Sequence, residues 1–321
     1  MKLTYSVLLI LVNCAATGQK HPPIQKIEHW YTFEWKECDA SHARFYSIAV
    51  HSDSGWHRRD YFVHGPTIQM DGWYEDSSFK IKNGNFVYAY PDQKRENGGR
   101  YVHGQKEGLW ISYNYNGMLS DSTVYSNGHP IGTSLSYYPS GIIRDSSVYQ
   151  PDGSGVQITW FSNGQLSSAG VMAAGRKKHG KWKFWHDNGK FAAIELYRYD
   201  TLLEHQYFDE DGNPMDTARQ NRKATFVGGT DAWLKWLDRR LIWPPNYELV
   251  NGDEAAVVIS GTVDESGTIT DLYVSTPFYP AFERTALNAI QHSPKWEPAI
   301  ENNRRVQSQF RQPVIFKQHE D

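Results

Sequence analysis

Tyr113-Asn-Tyr-Asn-Gly117 returns as Tyr137-Tyr-Pro-Ser-Gly141, as Trp160-Phe-Ser-Asn-Gly164 and as Trp185-His-Asp-Asn-Gly189. The closing glycines stand 24, 23 and 25 residues apart. A second marker keeps the same step through Gly84-Asn-Phe86, Gly108-Leu-Trp110 and Gly180-Lys-Trp182. Alternating stretches such as Ser122-Thr-Val-Tyr125 and Asp145-Ser-Ser-Val-Tyr149 lie between the markers. A fixed period of this length marks a repeat architecture. Asn-Gly and its kin accept the positive φ of a tight turn, so each unit reads strand, turn, strand, turn. One hairpin cannot hide its apolar face, and stacked hairpins share one. The expectation is a mainly β region of stacked antiparallel hairpins, with Trp110 and Trp182 as interior anchors.

Working outward, the chain has 321 residues, enough for two domains. Aromatic residues make up 14%, with 12 Trp and 20 Tyr, and there are 26 Gly, which suits many short strands and tight turns. A formal net charge of −3 gives no basic surface for nucleic acid, so none is expected as a partner. The first residues read as an export signal. Lys2 is the positive start, Tyr5 to Val12 the apolar run, and Ala16 and Gly18 the small residues before a cleavage point between Gly18 and Gln19. The apolar run is shorter than a membrane-spanning helix requires, so membrane contact is expected only if this segment stays uncleaved. Asn13 before Cys14 is too large and polar to favour a lipidation site. Cys38 then remains alone, and a half-buried strand thiol is its plain reading.

The units Gly104-Gln-Lys-Glu-Gly-Leu-Trp-Ile-Ser-Tyr113 and Gly175-Arg-Lys-Lys-His-Gly-Lys-Trp182 resemble MORN-type repeats. More narrowly, they are similar to the variant of YwqK-like antitoxin proteins. The resemblance covers about residues 56–212. The third and fourth units depart from it, since Gly132-Thr-Ser and Gly155-Val-Gln carry no Trp. The organisation read from the sequence is a signal peptide over 1–18, a β segment or cap over 19–55, hairpin repeats over 56–214 and a polar linker over 215–223. Few contacts are expected to cross that linker, which offers Arg219, Arg222 and Lys223 to a protease.

From Ala224 the texture changes to a small α+β unit in the order helix, hairpin, helix, strand. Thr230 is the candidate N-cap of the first helix, whose Trp233, Leu234, Leu237 and Leu241 share a face until Pro244 and Pro245 stop it. Ala255 to Val263 and Thr268 to Val274 flank the turn Asp264-Glu-Ser-Gly267. Pro280 suits a first turn, and Phe282, Ala286, Ala289 and Ile290 form the buried stripe behind it. Arg305 to Phe316 reads as one last strand.

Residues 224–318 resemble the TonB C-terminal domain. Phe226, Gly228, Gly229, Leu237 and Pro244 match its opening, and Asp264, Glu265 and Gly267 its hairpin turn. Pro294, Trp296 and Pro298 match its Pro-x-Trp-x-Pro exit, and Pro313, Val314 and Phe316 its end. Trp243, Ala299 and Asn303 depart from the pattern, the last replacing a Gly. The resemblance implies a periplasmic domain that binds an extended segment of an envelope protein, an outer-membrane TonB-dependent transporter, by adding a strand beside its last strand. The residues implied are Arg305, Val306, Gln307, Ser308, Gln309, Phe310 and Arg311. An open sheet edge can do this, because its unpaired N–H and C=O groups accept a partner backbone.

No catalytic, cofactor or metal constellation is legible. The 13 histidines are scattered without metal-site spacing, and no P-loop, nucleophile elbow or dinucleotide fingerprint occurs. His186 reads as a turn neighbour and Asp209-Glu-Asp211 as a solvated turn rather than a calcium loop. The sequence thus points to an exported, non-enzymatic interaction protein of the cell envelope. The alternative is a membrane-anchored energy transducer of TonB-dependent transport, for which the polyproline stretch that would cross the periplasm is absent from the repeat region.

Overall fold

The computed structural model describes residues 25–65, 67–249 and 254–318. The expected signal segment and its Gly18–Gln19 cleavage point lie outside them. Among the described residues, no helix is long and apolar enough to cross a membrane.

Sixteen strands follow one another: β1 (Lys26–Tyr31), β2 (Phe45–Ser52), β3 (Gly55–Phe62), β4 (Ile68–Tyr74), β5 (Gly84–Ala89), β6 (Arg95–Val102), β7 (Gln105–Tyr113) and β8 (Leu119–Ser126). They continue as β9 (His129–Tyr137), β10 (Ile143–Tyr149), β11 (Gly155–Trp160), β12 (Leu166–Ala173), β13 (Lys177–Trp185), β14 (Phe191–Arg198), β15 (Thr201–Phe208) and β16 (Pro214–Met215). They form one antiparallel sheet in strict sequence order. The mainly β repeat region is therefore a single sheet of hairpins, as its turn signals imply.

The turns explain the period. Gly117, Gly141, Gly164 and Gly189 all have φ between +82° and +87°, and each donates its N–H to the carbonyl three residues back. Gln93 takes the same place one unit earlier with φ +69°, so the first repeat is built without its glycine. Asn116, Asn163 and Asn188 donate to the backbone of the next turn, at 2.8 Å each, and so link successive units.

One face of this sheet carries the buried aromatic residues, among them Trp56, Phe86, Trp110, Trp182 and Phe184. Trp110 (3% exposed) lies over Gly99, where a Cβ would sit 2.4 Å from the ring, and Trp182 (2%) lies over Gly170 in the same way, at 2.1 Å. The two glycines are seats for the indoles. Lys106 reaches over Trp110 at 4.3 Å, and Lys178 over Phe184 and Tyr197 at 4.9 Å each. Burial among these rings holds both amines below the usual lysine range. The opposite face is open, with Leu109, Val124, Val148, Val156 and Val171 exposed beside aromatic pairs such as His57–Trp73 and Trp185–Phe191.

The C-terminal unit comprises α1 (Gly229–Asp238), β17 (Glu254–Val263), β18 (Ile269–Thr276), α2 (Pro280–Gln291), the short hairpin β19 (Ala299–Glu301) and β20 (Arg304–Val306), and β21 (Ser308–Lys317). Its three-stranded sheet has the order β18-β17-β21. Val257, Ile259, Phe282, Ile290, Val314 and Phe316 pack its core. Pro280 opens α2, and Phe282, Ala286, Ala289 and Ile290 are its buried stripe, as read from the sequence. Three details differ from the reading. Gly228, left-handed at φ +87°, is the N-cap of α1 rather than Thr230. Leu234 is 54% exposed and lies off the buried face. The last strand is interrupted: Arg304–Val306 pair with Ala299–Glu301, and a new strand starts at Ser308.

This unit lies across the aromatic face of the large sheet, and contacts between the two are many. Arg44 donates through Nε to the Ala256 carbonyl at 3.1 Å. The His64 ring meets Phe278 and Tyr279 edge-on. Tyr115 stacks on Tyr273 at 4.6 Å. Asn303, wholly buried, donates to the carbonyls of Ala192 and Phe208 and accepts from the Arg219 amide. Residues 215–223 are not bare either. Arg222 exchanges backbone hydrogen bonds with Ile300 and pairs with Glu297 at 2.9 Å, and Arg219 pairs with Glu210 at 2.8 Å. The sequence shows a polar stretch there, but not that its polar groups are spent on residues about 80 positions later.

Candidate functional site: the outer edge of the last strand

β17 is central, so β21 has one flank paired and one open. Its ladder to β17 runs unbroken from Glu254↔Lys317 to Val263↔Ser308. In an antiparallel ladder, successive residues alternate between bonding the partner and pointing away from it. Pro313, opposite Val258, has no N–H to give, so it occupies a position that points away. By the same alternation Gln309, Arg311, Ile315 and Lys317 turn their N–H groups to the open flank. Ser308, Phe310, Gln312, Val314 and Phe316 bond to β17. Among the described residues, no backbone hydrogen bond links β21 to any strand but β17.

A groove of about 440 Å³ runs beside this edge, between it and α1. Leu234, Leu237 and Leu241 form one wall, and Pro313 and Ile315 the other. Trp233 fixes the spacing of helix and strand, since its Nε1 donates to Gln312 Oε1 at 2.8 Å. The exposure of Leu234 and Ile315 (42%) follows from this groove.

The structure divides the residues singled out in the sequence. Ser308, Gln309, Phe310 and Arg311 lie in β21. Arg305 and Val306 lie in β20, their backbones opposite Ile300 and Ala299, and Gln307 stands between the two strands. Arg305 faces Glu210 at 3.4 Å, and Arg219 holds that carboxylate below its usual range. Arg311 donates to the Phe33 carbonyl at 3.0 Å, and burial lowers its guanidinium from the usual range. Arg305 therefore serves the contact with the repeats, and the open flank begins where β21 does. Leu234 and Ile315 were missed. Ile315 carries a signal, an apolar side chain on the outward face between Val314 and Phe316, whereas Leu234 follows the apolar periodicity of α1 and carries none.

Other candidates resolve into structural roles. Cys38 is partly buried, which pushes its thiol up from the usual range. His186 is 2% exposed, with Nε2 3.0 Å from the Phe208 carbonyl. Asp209 closes its own turn by accepting from the amides of Asp211 and Asn213. Among the described residues, no group of three His, Cys, Asp or Glu side chains is placed to hold a metal ion.

No curated protein matches the chain. Residues 178–199 match the MORN repeat variant family. Residues 245–318 match the family described as Gram-negative bacterial TonB protein C-terminal, a non-enzymatic interaction domain of the cell envelope. The chain therefore carries a TonB-type C-terminal domain behind an array of MORN-like repeats.

Proposed function

We propose that this protein is exported to the cell envelope and captures an extended segment of another envelope protein by strand addition at β21. The outer-membrane transporter that the resemblance implies is the partner of choice. The carrying observation is the open flank of β21 beside an apolar groove. Backbone pairing at Gln309, Arg311 and Ile315 supplies affinity, and the groove walled by Leu234 and Leu241 reads alternate side chains. The large sheet serves as the scaffold that holds this edge outward. Export through cleavage after Gly18 gives a mature chain beginning at Gln19, which mass spectrometry of the envelope protein reads directly.

The test places a photocrosslinking residue at Ile315 of the full chain in envelope fractions. The expected product joins Ile315 to an extended segment of an outer-membrane transporter, located by sequencing the crosslinked peptide. The Gln309→Pro variant removes one outward N–H and leaves the ladder to β17. It keeps the circular-dichroism spectrum and loses the crosslink. A crosslink that persists in Gln309→Pro, or that maps to the folded surface of its target, sinks the reading.

A further inference from the structure

One cross-strand row on the aromatic face passes through Gly99, Trp110, Thr123, Ser134, Ser147, Gln157, Gly170 and Trp182. Ser134 and Gln157 stand seven residues before their turn glycines, the place that Trp110 and Trp182 hold in their own units. Thr123 and Ser147 stand where Gly99 and Gly170 seat an indole. In the two central units both halves of the glycine–tryptophan pair are replaced together by polar residues, Thr123 and Ser134 in one and Ser147 and Gln157 in the other. The lysine is replaced too: Pro130 and Gly153 stand where Lys106 and Lys178 do. A second row alongside reads Asp121, Ser136, Asp145, Thr159 and Ser168. The result is a polar floor between two aromatic clusters, and the C-terminal unit roofs it with Glu265, Glu301 and Arg304. The cavity between floor and roof measures about 430 Å³, within the range of small-ligand sites.

The lining selects the chemistry of an occupant. β8 to β11 are paired on both sides, so the floor offers no backbone edge and an extended peptide cannot be held by pairing. The cations are engaged. Arg304 lies over Phe184, bonds Ser167 and the Glu301 carbonyl, and Arg144 bonds Ser136. An anion entering the cavity would meet Asp121, Asp145 and Glu265 instead. Few aliphatic side chains line it. The remaining match is a ligand whose groups both donate and accept. Its hydroxyls would donate to the lone pairs of Asp121 and Asp145 that Thr123, Ser147 and Gln157 leave over. They would accept from the second Nε2–H of Gln157 and the free hydroxyl of the Thr159–Ser168 pair. Tyr149, which shares the face of Asp145 and Ser147, is the aromatic side chain at the wall and offers a flat surface to a sugar ring. We propose that this trough is an oligosaccharide-binding site, independent of the β21 edge.

Calorimetry on the full chain with maltotriose, cellotriose and chitotriose tests it. At least one trisaccharide is expected to bind saturably at one site per chain. Asp145→Asn should weaken that binding by about tenfold, as for a lost hydrogen bond to a charged group. The double variant Thr123→Gly/Ser134→Trp restores the indole and its seat, fills the trough and should abolish binding while the chain stays folded. Gln309→Pro should leave sugar binding unchanged, which separates this site from strand capture. Failure of all three sugars to bind at millimolar concentration overturns the proposal. So does wild-type affinity in Asp145→Asn or in the folded double variant.

Discussion

Asn303 replaces a glycine of the TonB-type pattern, and its side chain pins the C-terminal unit to the repeats. Its Nδ2 donates to the Ala192 and Phe208 carbonyls at 2.8 Å each, and its Oδ1 accepts from the Arg219 amide at 2.9 Å. Its φ is +66°, a left-handed value that glycine and asparagine accept best. Restoring the glycine keeps the backbone and removes three hydrogen bonds. Each buried group left without a partner costs about 1–3 kcal/mol, and two of the three bonds are only partly buried. The expected loss for Asn303→Gly is therefore about 4 kcal/mol. Asn303→Ala should lose about 1 kcal/mol more, because alanine resists the left-handed backbone. Asn303→Asp should be the worst of the three, since it sets carboxylate oxygens against two carbonyls. Urea denaturation followed by tryptophan fluorescence reads all three, and the Asn303→Gly transition should split in two as the units uncouple. A loss below about 1 kcal/mol for Asn303→Gly, or equal losses for Gly and Ala, would refute the reasoning.

Trp110→Ala should cost about 3–5 kcal/mol in the same melts, the usual loss for a large buried ring, whereas a surface role would leave stability within about 1 kcal/mol. Burial against Phe278 and Tyr279, with Arg44 nearby, lowers the His64 pKa from 6.5 to about 3. The unfolded chain thus binds a proton below pH 6.5 that the folded chain refuses, so stability is complete above pH 6.5 and falls as pH drops toward 3. The loss at pH 5 is at most about 2 kcal/mol, and His64→Phe should remove that part of the acid dependence; an NMR titration midpoint near 6.5 would contradict it. Trypsin should spare Arg219 and Arg222 in the native chain, because their backbone or side chains are tied to Asn303, Ile300 and Glu297; rapid release of a C-terminal fragment cut there would show those ties to be weak. Within β21, Gln312→Pro should destabilise by about 3 kcal/mol through a lost ladder bond, whereas Ile315→Pro should not, and the reverse result would invert the assigned alternation.

What could be read in the sequence was local. The turn glycines, the alternation between them and the Pro-x-Trp-x-Pro exit are each carried by neighbours within a few positions. They suffice for hairpins, for their order and for a TonB-type unit. The misreadings share one cause. Arg305 to Phe316 alternates well enough to pass as one strand, and nothing local shows that Arg304 leaves the sheet to bond Ser167. Asn303 was visible as a departure, but its partners Ala192, Phe208 and Arg219 lie 84 to 111 positions away. Leu234 keeps an apolar periodicity that suggests a core position, and the helix instead turns it toward the groove beside Ile315. The missing tryptophans of the central units were equally visible, but the roof that makes a cavity of that gap comes from the far end of the chain.

The strict order of the sixteen strands has a kinetic meaning. Each strand from β2 to β15 finds both of its partners immediately before and after it in the chain. Short closures are entropically cheap, so the sheet can lengthen one hairpin at a time as the chain emerges, each new edge templating the next. β17 cannot do this, because its partner β21 begins 45 residues after β17 ends. The C-terminal unit also rests on side chains as early as Arg44. Folding should thus run from the first hairpin to the last, with a slow final step in which β21 closes on β17 over a finished sheet. Until that step the aromatic face is uncovered and β17 is paired on its β18 side alone, which makes this interval the one in which the chain is most exposed to aggregation.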